Sequence, residues 1–244
     1  MDNKTAQKIL EQNAKIFNII AEEFSASRSY LWPELKEFKK FVKKGDKILD
    51  VGCGNGRLYT LFQGSFVKYV GIDSSQKLIE IARKKFQTKN SKNFSPKFIV
   101  GNILDLPFPN SSFDVLFSIA VLHHIPSHLL RKKAIKECGR VLKPNGIFIL
   151  TVWNLFRLKL LIKYKNLSMI FGYRRRKLDF GDTFIPWKTK RGIIYRYYHS
   201  FRKREIKKLL EDNFLIKDIY WANNGKRSNF FQGTNLVVIA KKKT

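Results

Sequence analysis

Apolar residues recur at helical spacing over residues 5–24, where Ala6, Ile9, Leu10, Ala14, Phe17, Ile20, Ala21 and Phe24 share one face, and this predicts an amphipathic opening helix. A second helix is predicted from Trp32 to Val42, with Pro33 in its first turn and Gly45 as its stop. The pattern then changes to short apolar runs: Ile48–Val51, Tyr69–Asp73, Phe98–Val100, Val115–Ser118 and Ile147–Leu150. Helical patterns separate most of them, notably Gln76–Phe86 and Leu129–Val141. Strands alternating with helices predict an α/β architecture, a parallel sheet with helices on both faces. Residues 155–200 interrupt the alternation. A further helix near Lys203–Glu211 and two late strands near Ile216–Trp221 and Leu236–Ala240 resume it as an antiparallel closing pair.

Length and composition narrow the class. With 244 residues, 44% hydrophobic and 14% aromatic, the chain has material for one domain with a sizeable core, and general disorder is excluded. Cys53 and Cys138 are too few for a disulfide scaffold or a cysteine-based zinc cluster, and no metal site is expected. No apolar run of spanning length occurs, so stable membrane insertion is not expected. The first residues include Asp2, Lys4, Lys8 and Glu11 and hold no apolar signal core, so the expected location is cytoplasmic.

The net charge is +29, unevenly spread. Residues 1–150 hold 25 Lys+Arg against 13 Asp+Glu, net +12, and the shorter 151–244 hold 23 against 6, net +17. A compositional bias toward Lys, Asn, Ile and Phe would raise lysine, but it does not explain the block Arg174-Arg175-Arg176 followed by Lys177. A polyanionic partner is the expectation, with a solvated basic loop as the alternative.

Candidate chemistry begins after the first strand, at Asp50-Val51-Gly52-Cys53-Gly54-Asn55-Gly56. The glycines allow a sharp turn and a ligand lying against the backbone. A dinucleotide loop reads G-x-G-x-x-G and receives a pyrophosphate. Here the spacing is G-x-G-x-G, and the leading Asp50 would repel a pyrophosphate while suiting an ammonium or sulfonium. Asp73 ends the second strand, where a carboxylate can accept both hydroxyls of a ribose. Gly101-Asn102-Ile103, Phe113-Asp114-Val115 and Arg140–Gly146 follow in order.

Together, over about residues 45–152, these segments resemble the class I S-adenosylmethionine-dependent methyltransferases. The resemblance implies a Rossmann-like fold with a mostly parallel seven-stranded sheet, S-adenosylmethionine as cofactor, and a cofactor site at Asp50, Gly52, Gly54, Gly56, Asp73, Asn102, Ile103 and Ser118. Asn102 stands where the family usually has an acidic residue, and its carbonyl oxygen can still accept from an adenine amino group. Cys53 reads as a small loop filler.

Three further segments resemble the tRNA wobble-uridine carboxymethyl methyltransferases: Phe17–Pro33, with Ser27 where Thr is usual, Gly181–Trp187 and Arg196–Phe201. This implies a single domain over 1–244, with N-terminal helices over 1–44, a cofactor core over 45–152, a basic substrate-binding insertion over 153–200, and closing elements over 201–244. It implies methyl transfer to the carboxylate of 5-carboxymethyluridine in a tRNA anticodon loop. Eukaryotic members work with a small zinc-binding activator protein. Arg196 is the expected carboxylate clamp, with Tyr197 and His199 beside it, while packing on the sheet is the alternative for these aromatics. Arg174, Arg175, Arg176 and Lys177 are expected on RNA phosphates, with Trp187 or Tyr173 stacking on a base. His123 and His124 are candidates for catalysis or for pocket lining, and His128 has no assigned role. A rival reading is a methyltransferase for a lipid or quinone precursor at a membrane surface, with Leu155–Phe171 lying in the headgroups.

Overall fold

The computed structural model describes residues 1–28, 30–87, 95–156, 178–190 and 192–244. The opening helix α1 (Asn3–Ile19) starts on Asp2, whose side chain accepts from the Thr5 N–H, and is followed by α2 (Ala21–Ala26). The second predicted helix is shorter than expected: α3 (Pro33–Lys36) tightens at once into a 3-10 turn over Glu37–Phe41. The apolar runs become β1 (Lys47–Val51), β2 (Lys68–Asp73), β3 (Lys97–Val100), β4 (Phe113–Ile119) and β5 (Leu142–Trp153). Helix α4 (Gln76–Lys85) follows β2, and α5 (His128–Val141) follows β4. Then come β6 (Asp182–Thr189), β7 (Gly192–His199), α6 (Lys203–Leu210), β8 (Phe214–Asn223), β9 (Lys226–Ser228) and β10 (Asn235–Lys242).

Strands β3, β2, β1, β4 and β5 lie side by side in parallel, as the alternation predicts. Beyond β5 the sheet continues through the antiparallel β10 and β8, and the three-residue β9 adds an eighth strand to the expected seven. Alternate residues of each central strand feed opposite cores. Leu49 and Val51 of β1, Leu116 of β4, and Phe148 and Leu150 of β5 pack with residues of α5 and α6. Ile48, Phe117 and Ile149 of the same strands pack with Ile79 and Ala82 of α4 on the other face. Both faces are covered, which is why these strands read as continuous apolar runs rather than alternating ones.

The region that breaks the alternation contains an antiparallel hairpin, β6–β7, separate from the main sheet. It joins two of the segments singled out above: Ile185 lies opposite Arg196, and Asp182 opposite His199. Arg174, Arg175, Arg176, Lys177, Tyr173 and nearly all of Leu155–Phe171 lie outside the described residues.

Candidate active site

The C-terminal ends of β1, β2, β4 and β5 open into one cleft, the place where ligands sit in open α/β sheets. Counted out to its open mouth, open solvent included, it encloses about 1290 Å³. One wall is the glycine loop. Gly52 adopts φ +71°, and a Cβ there would stand 2.3 Å from the Val121 side chain, so only glycine lets the loop pass. Gly54 turns its bare face to the cleft, with nothing nearer than Phe24 Cε1 at 3.8 Å. Gly56 does not line the cleft; it leads into the 3-10 turn over Arg57–Leu61.

Asp50 is buried at 1% exposure, and its Oδ2 accepts from the Tyr69 hydroxyl at 2.5 Å. Burial pushes its carboxyl up to about 7, against the pull of that hydrogen bond, with Asp73 adding to the rise. The Asp73 carboxylate accepts from the Gly54 and Ser75 N–H groups, both at 2.9 Å. Burial raises its pKa too, and the backbone donors oppose the rise. The backbone donors, to which the Ser74 N–H adds, do not fill a carboxylate's roughly four acceptor positions, so part of the group remains open to a ligand. Ile103 lines the cleft beside Asn102, whose Oδ1 accepts from the Leu104 N–H at 3.0 Å and so closes its own turn. Ser118 does not belong to this wall. It is drawn into the sheet at 1% exposure, and Ile119, Ala120 and Val121 line the cleft in its place.

The facing wall comes from the loop after β4, the end of β5, and the hairpin. Arg196 is 3% exposed, its guanidinium 4.5 Å from the Trp187 ring centroid and 5.2 Å from that of Tyr198. Trp153 stacks on Tyr198 at 5.4 Å, and His123 and His124 pack on the same ring at 5.3 and 4.5 Å. Trp187, half-buried against Arg196, donates from its indole N–H to Glu23 at 3.4 Å and backs this wall without lining the cleft itself. His124 Nδ1 lies 3.2 Å from the Tyr197 carbonyl. Burial holds its ring neutral, with a pKa pulled down to about 3, and the Arg196 charge adds to the effect. His128 is exposed at the start of α5, away from the cleft.

Tyr197 and His199 do not stand beside Arg196, and strand geometry is the reason. Side chains along a strand alternate between faces, so Arg196 shares its face with Tyr198, and Tyr197 shares the other with His199. On that other face Tyr197 donates to Asp182 Oδ1 at 2.6 Å, and His199 bonds Asp182 through Nδ1 at 2.6 Å and Glu205 through Nε2 at 2.9 Å. Arg131, 1% exposed, reaches the Tyr197 hydroxyl and the Asp179 carboxylate at 3.4 and 3.3 Å. This buried network anchors the hairpin to α5 and α6; it does not face the cleft.

The N-terminal helices close the cleft, a role the sequence reading did not assign. Asn13 of α1 accepts from the Tyr197 N–H at 3.2 Å and donates to the His124 carbonyl at 3.1 Å, tying the hairpin to the loop after β4. Its signal was a polar residue on the same helical stripe as Ala6 and Ile9. Asn55 of the glycine loop donates to Ser25 Oγ at 2.9 Å, and Ser75 donates to Asn18 at 3.0 Å. Phe17, Phe24 and Arg28 line the cleft from above.

Residues 49–150 match the family described as a methyltransferase domain. The tRNA (carboxymethyluridine(34)-5-O)-methyltransferase of Arabidopsis thaliana is 37% identical over 139 residues, covering 57% of this chain and 32% of that one. The protein of the same name in Schizosaccharomyces pombe is 29% identical over 217 residues, covering 81% and 85%. The chain thus spans about a third of the Arabidopsis relative and most of the fission-yeast one. A crystal structure of a SAM-dependent methyltransferase from Methanosarcina mazei superposes with a TM-score of 0.69 at 26% identity, covering 85% of this chain and 97% of that one. Asp73 has an acceptor position left for a ribose, Asp50 brings a carboxylate to the cleft for a cation, and Gly54 leaves its face of the loop bare, so the residues present fit S-adenosylmethionine. With that fit and these matches, residues 49–150 form an S-adenosylmethionine-dependent methyltransferase domain, the fold is that of the class I methyltransferases, and the chain resembles the tRNA wobble-uridine carboxymethyl enzymes.

Proposed function

We propose that the chain methylates the carboxylate of 5-carboxymethyluridine at the wobble position of tRNA, giving the methyl ester. The observation that carries this reading is Arg196, a buried guanidinium held between Trp187 and Tyr198 on the cleft wall facing the glycine loop. Such a cation recognises an anionic substrate group, and its planar fork suits a carboxylate. The relatives' names, which specify carboxymethyluridine, support the same substrate.

When bound, S-adenosylmethionine supplies a methyl group on a sulfonium, and the carbon–sulfur electron pair stays on sulfur as that methyl leaves. In this reading Asp50 would hold its ammonium and Asp73 its ribose hydroxyls, and Asn102 and Ile103, which line the same cleft, would receive the adenine. The nucleophile is a carboxylate with a pKa near 4, ionised at neutral pH, so no base has to remove a proton. The two histidines of the cleft agree with this: burial keeps both neutral, and their Nδ1 atoms are engaged by backbone groups. What remains for the chain is to align the carboxylate and exclude water, and alignment alone is worth several kcal/mol of barrier.

In this reading Arg174, Arg175, Arg176 and Lys177 hold anticodon-stem phosphates, and domain-wide positive charge steers the tRNA. A small zinc-binding activator remains a proposed partner, and Val100, exposed on the edge strand β3, is apolar surface it would cover. No helix among the described residues is long and apolar enough to cross a membrane. The test is mass spectrometry of anticodon nucleosides from tRNA incubated with the chain and labelled cofactor. Labelled carboxymethyluridine methyl ester is expected. Label appearing instead in added lipid or quinone precursors, with none in tRNA, overturns the reading.

A further inference from the structure

His123 sits where the sheet end, the hairpin and the cleft meet, and its side chain is completely buried. The Trp153 backbone N–H donates to its Nδ1 at 3.2 Å. An atom that accepts a hydrogen bond carries no proton, so the neutral ring bears its proton on Nε2. That Nε2–H has no hydrogen-bond partner among the described residues. Buried donors are nearly always satisfied, and an orphan lining a cleft marks a place where a ligand supplies the acceptor. The neighbouring His124 has the opposite arrangement: a carbonyl only accepts, so its Nδ1 donates to Tyr197 O, and its neutral ring leaves Nε2 with a lone pair. Of the two adjacent histidines, only His123 can donate from Nε2.

We propose that His123 is a substrate-contacting residue, its Nε2–H fixed by the Trp153 backbone and aimed at the same anionic group that Arg196 holds. This rests on the reading above, in which that group is the carboxylate of carboxymethyluridine. Both donors border the Tyr198 ring, the His123 ring stacked at 5.3 Å and the Arg196 guanidinium 5.2 Å from its centroid, and both residues line the same cleft. In that reading the glycine loop and Asp73 serve the cofactor, while His123 lines the cleft together with Arg196. A carboxylate has acceptor positions for a guanidinium fork and one further donor. A neutral donor orients the group without adding a second positive charge that would weaken the nucleophile. The ring therefore acts as a fixed dipole in a dry site.

The experiment uses the full chain, tRNA bearing carboxymethyluridine, and two variants. His123→Leu removes the donor, and His123→Gln restores an N–H at the reach of Nε2. Leu is expected to lower kcat about 10²-fold while cofactor affinity by calorimetry stays within about twofold of the original chain. Gln is expected to recover at least about tenfold of that loss. Equal impairment by Leu and Gln, or an unimpaired Leu variant, overturns the proposal and leaves the ring a packing element under Tyr198. Nitrogen-15 spectra of the unmodified chain at pH 7 serve as a check independent of variant folding: a neutral Nε2-protonated ring is expected, and an Nδ1-protonated or doubly protonated ring overturns it. Failure of the original chain to methylate this tRNA is seen before any variant is assayed and overturns the substrate reading itself.

Discussion

Replacing Asp50 with Asn should make the cofactor-free chain more stable and the cofactor site much weaker. The carboxyl is buried, and its pKa in the fold is about 7, whereas an unfolded aspartate titrates near 4. The folded chain therefore binds a proton at Asp50 between about pH 4 and 7 that the unfolded chain does not, so this group's contribution to stability is lost as pH rises through about 7. A rise from about 4 to about 7 corresponds to about 4 kcal/mol carried as a cost above pH 7.5, shrinking to between about 1 and 2 kcal/mol at pH 5. Asn carries no charge and still accepts from the Tyr69 hydroxyl, so the variant escapes that cost. Cofactor binding behaves oppositely. Removing one partner of a buried charge pair costs at least about 2 kcal/mol, a Kd raised about 30-fold. In the original chain, the affinity should fall as pH drops below about 7, because an ammonium prefers the ionised carboxylate. Urea denaturation at pH 8.5 and pH 5 without cofactor, with calorimetric titration of S-adenosylmethionine, reads both effects. An Asn variant less stable than the original at pH 8.5, or one with unchanged cofactor affinity, refutes the reasoning.

Arg196→Ala should reduce turnover on carboxymethyluridine tRNA on the order of 10²-fold while barely changing tRNA or cofactor affinity, and Arg196→Lys should rescue little because an ammonium cannot hold both oxygens in one plane; equal losses in binding and rate would place Arg196 on the RNA backbone. Tyr197→Phe should cost about 1–3 kcal/mol of stability, since it takes a donor from the buried Asp182, and leave kcat within a few-fold when measured below the lowered melting temperature. Replacing Arg174, Arg175 and Arg176 with Ala should flatten the salt dependence of tRNA binding by roughly 0.7–0.9 log units per lost phosphate contact, with cofactor affinity unmoved; an unchanged slope makes the arginines a solvated loop.

The glycine-loop wall of the cleft, where the cofactor is proposed to bind, was legible in the sequence because it is local. Asp50, Gly52 and Gly54 are neighbours in the chain, and Asp73 ends the next strand, so a motif and one strand end define that wall. Ser118 was misplaced by a step of one: within β4 it points into the sheet, and the cleft begins at Ile119. The substrate half depends on contacts that composition does not encode. Asn13 and Tyr197 are 184 positions apart, and Trp187 reaches Glu23 across 164. No spacing rule places such pairs together. The second predicted helix failed differently: its apolar spacing fits a helix, yet after Lys36 the chain tightens into a 3-10 turn.

The hairpin shows why a motif read as a string can mislead about its chemistry. Within Arg196-Tyr197-Tyr198-His199 the sequence suggests that Arg196, Tyr197 and His199 act side by side, and a loop would allow those three to converge. A strand forbids it, because successive side chains diverge to opposite faces. Pairing with Asp182–Trp187 makes this segment a strand, so the string divides into Arg196 and Tyr198 facing the cleft, and Tyr197 and His199 facing Asp182 and Glu205. The division has a mechanical consequence. Holding Arg196 in one orientation requires the strand that carries it to be fixed, and the opposite face fixes it through a carboxylate shared by Tyr197 and His199 and through Arg131 on α5. Residues turned away from the cleft thus set the position of Arg196, the residue proposed to hold the substrate. Substitutions on the buried face should therefore act on turnover only through displacement of Arg196, which is why Tyr197→Phe is expected to change kcat only a few-fold while it removes stability.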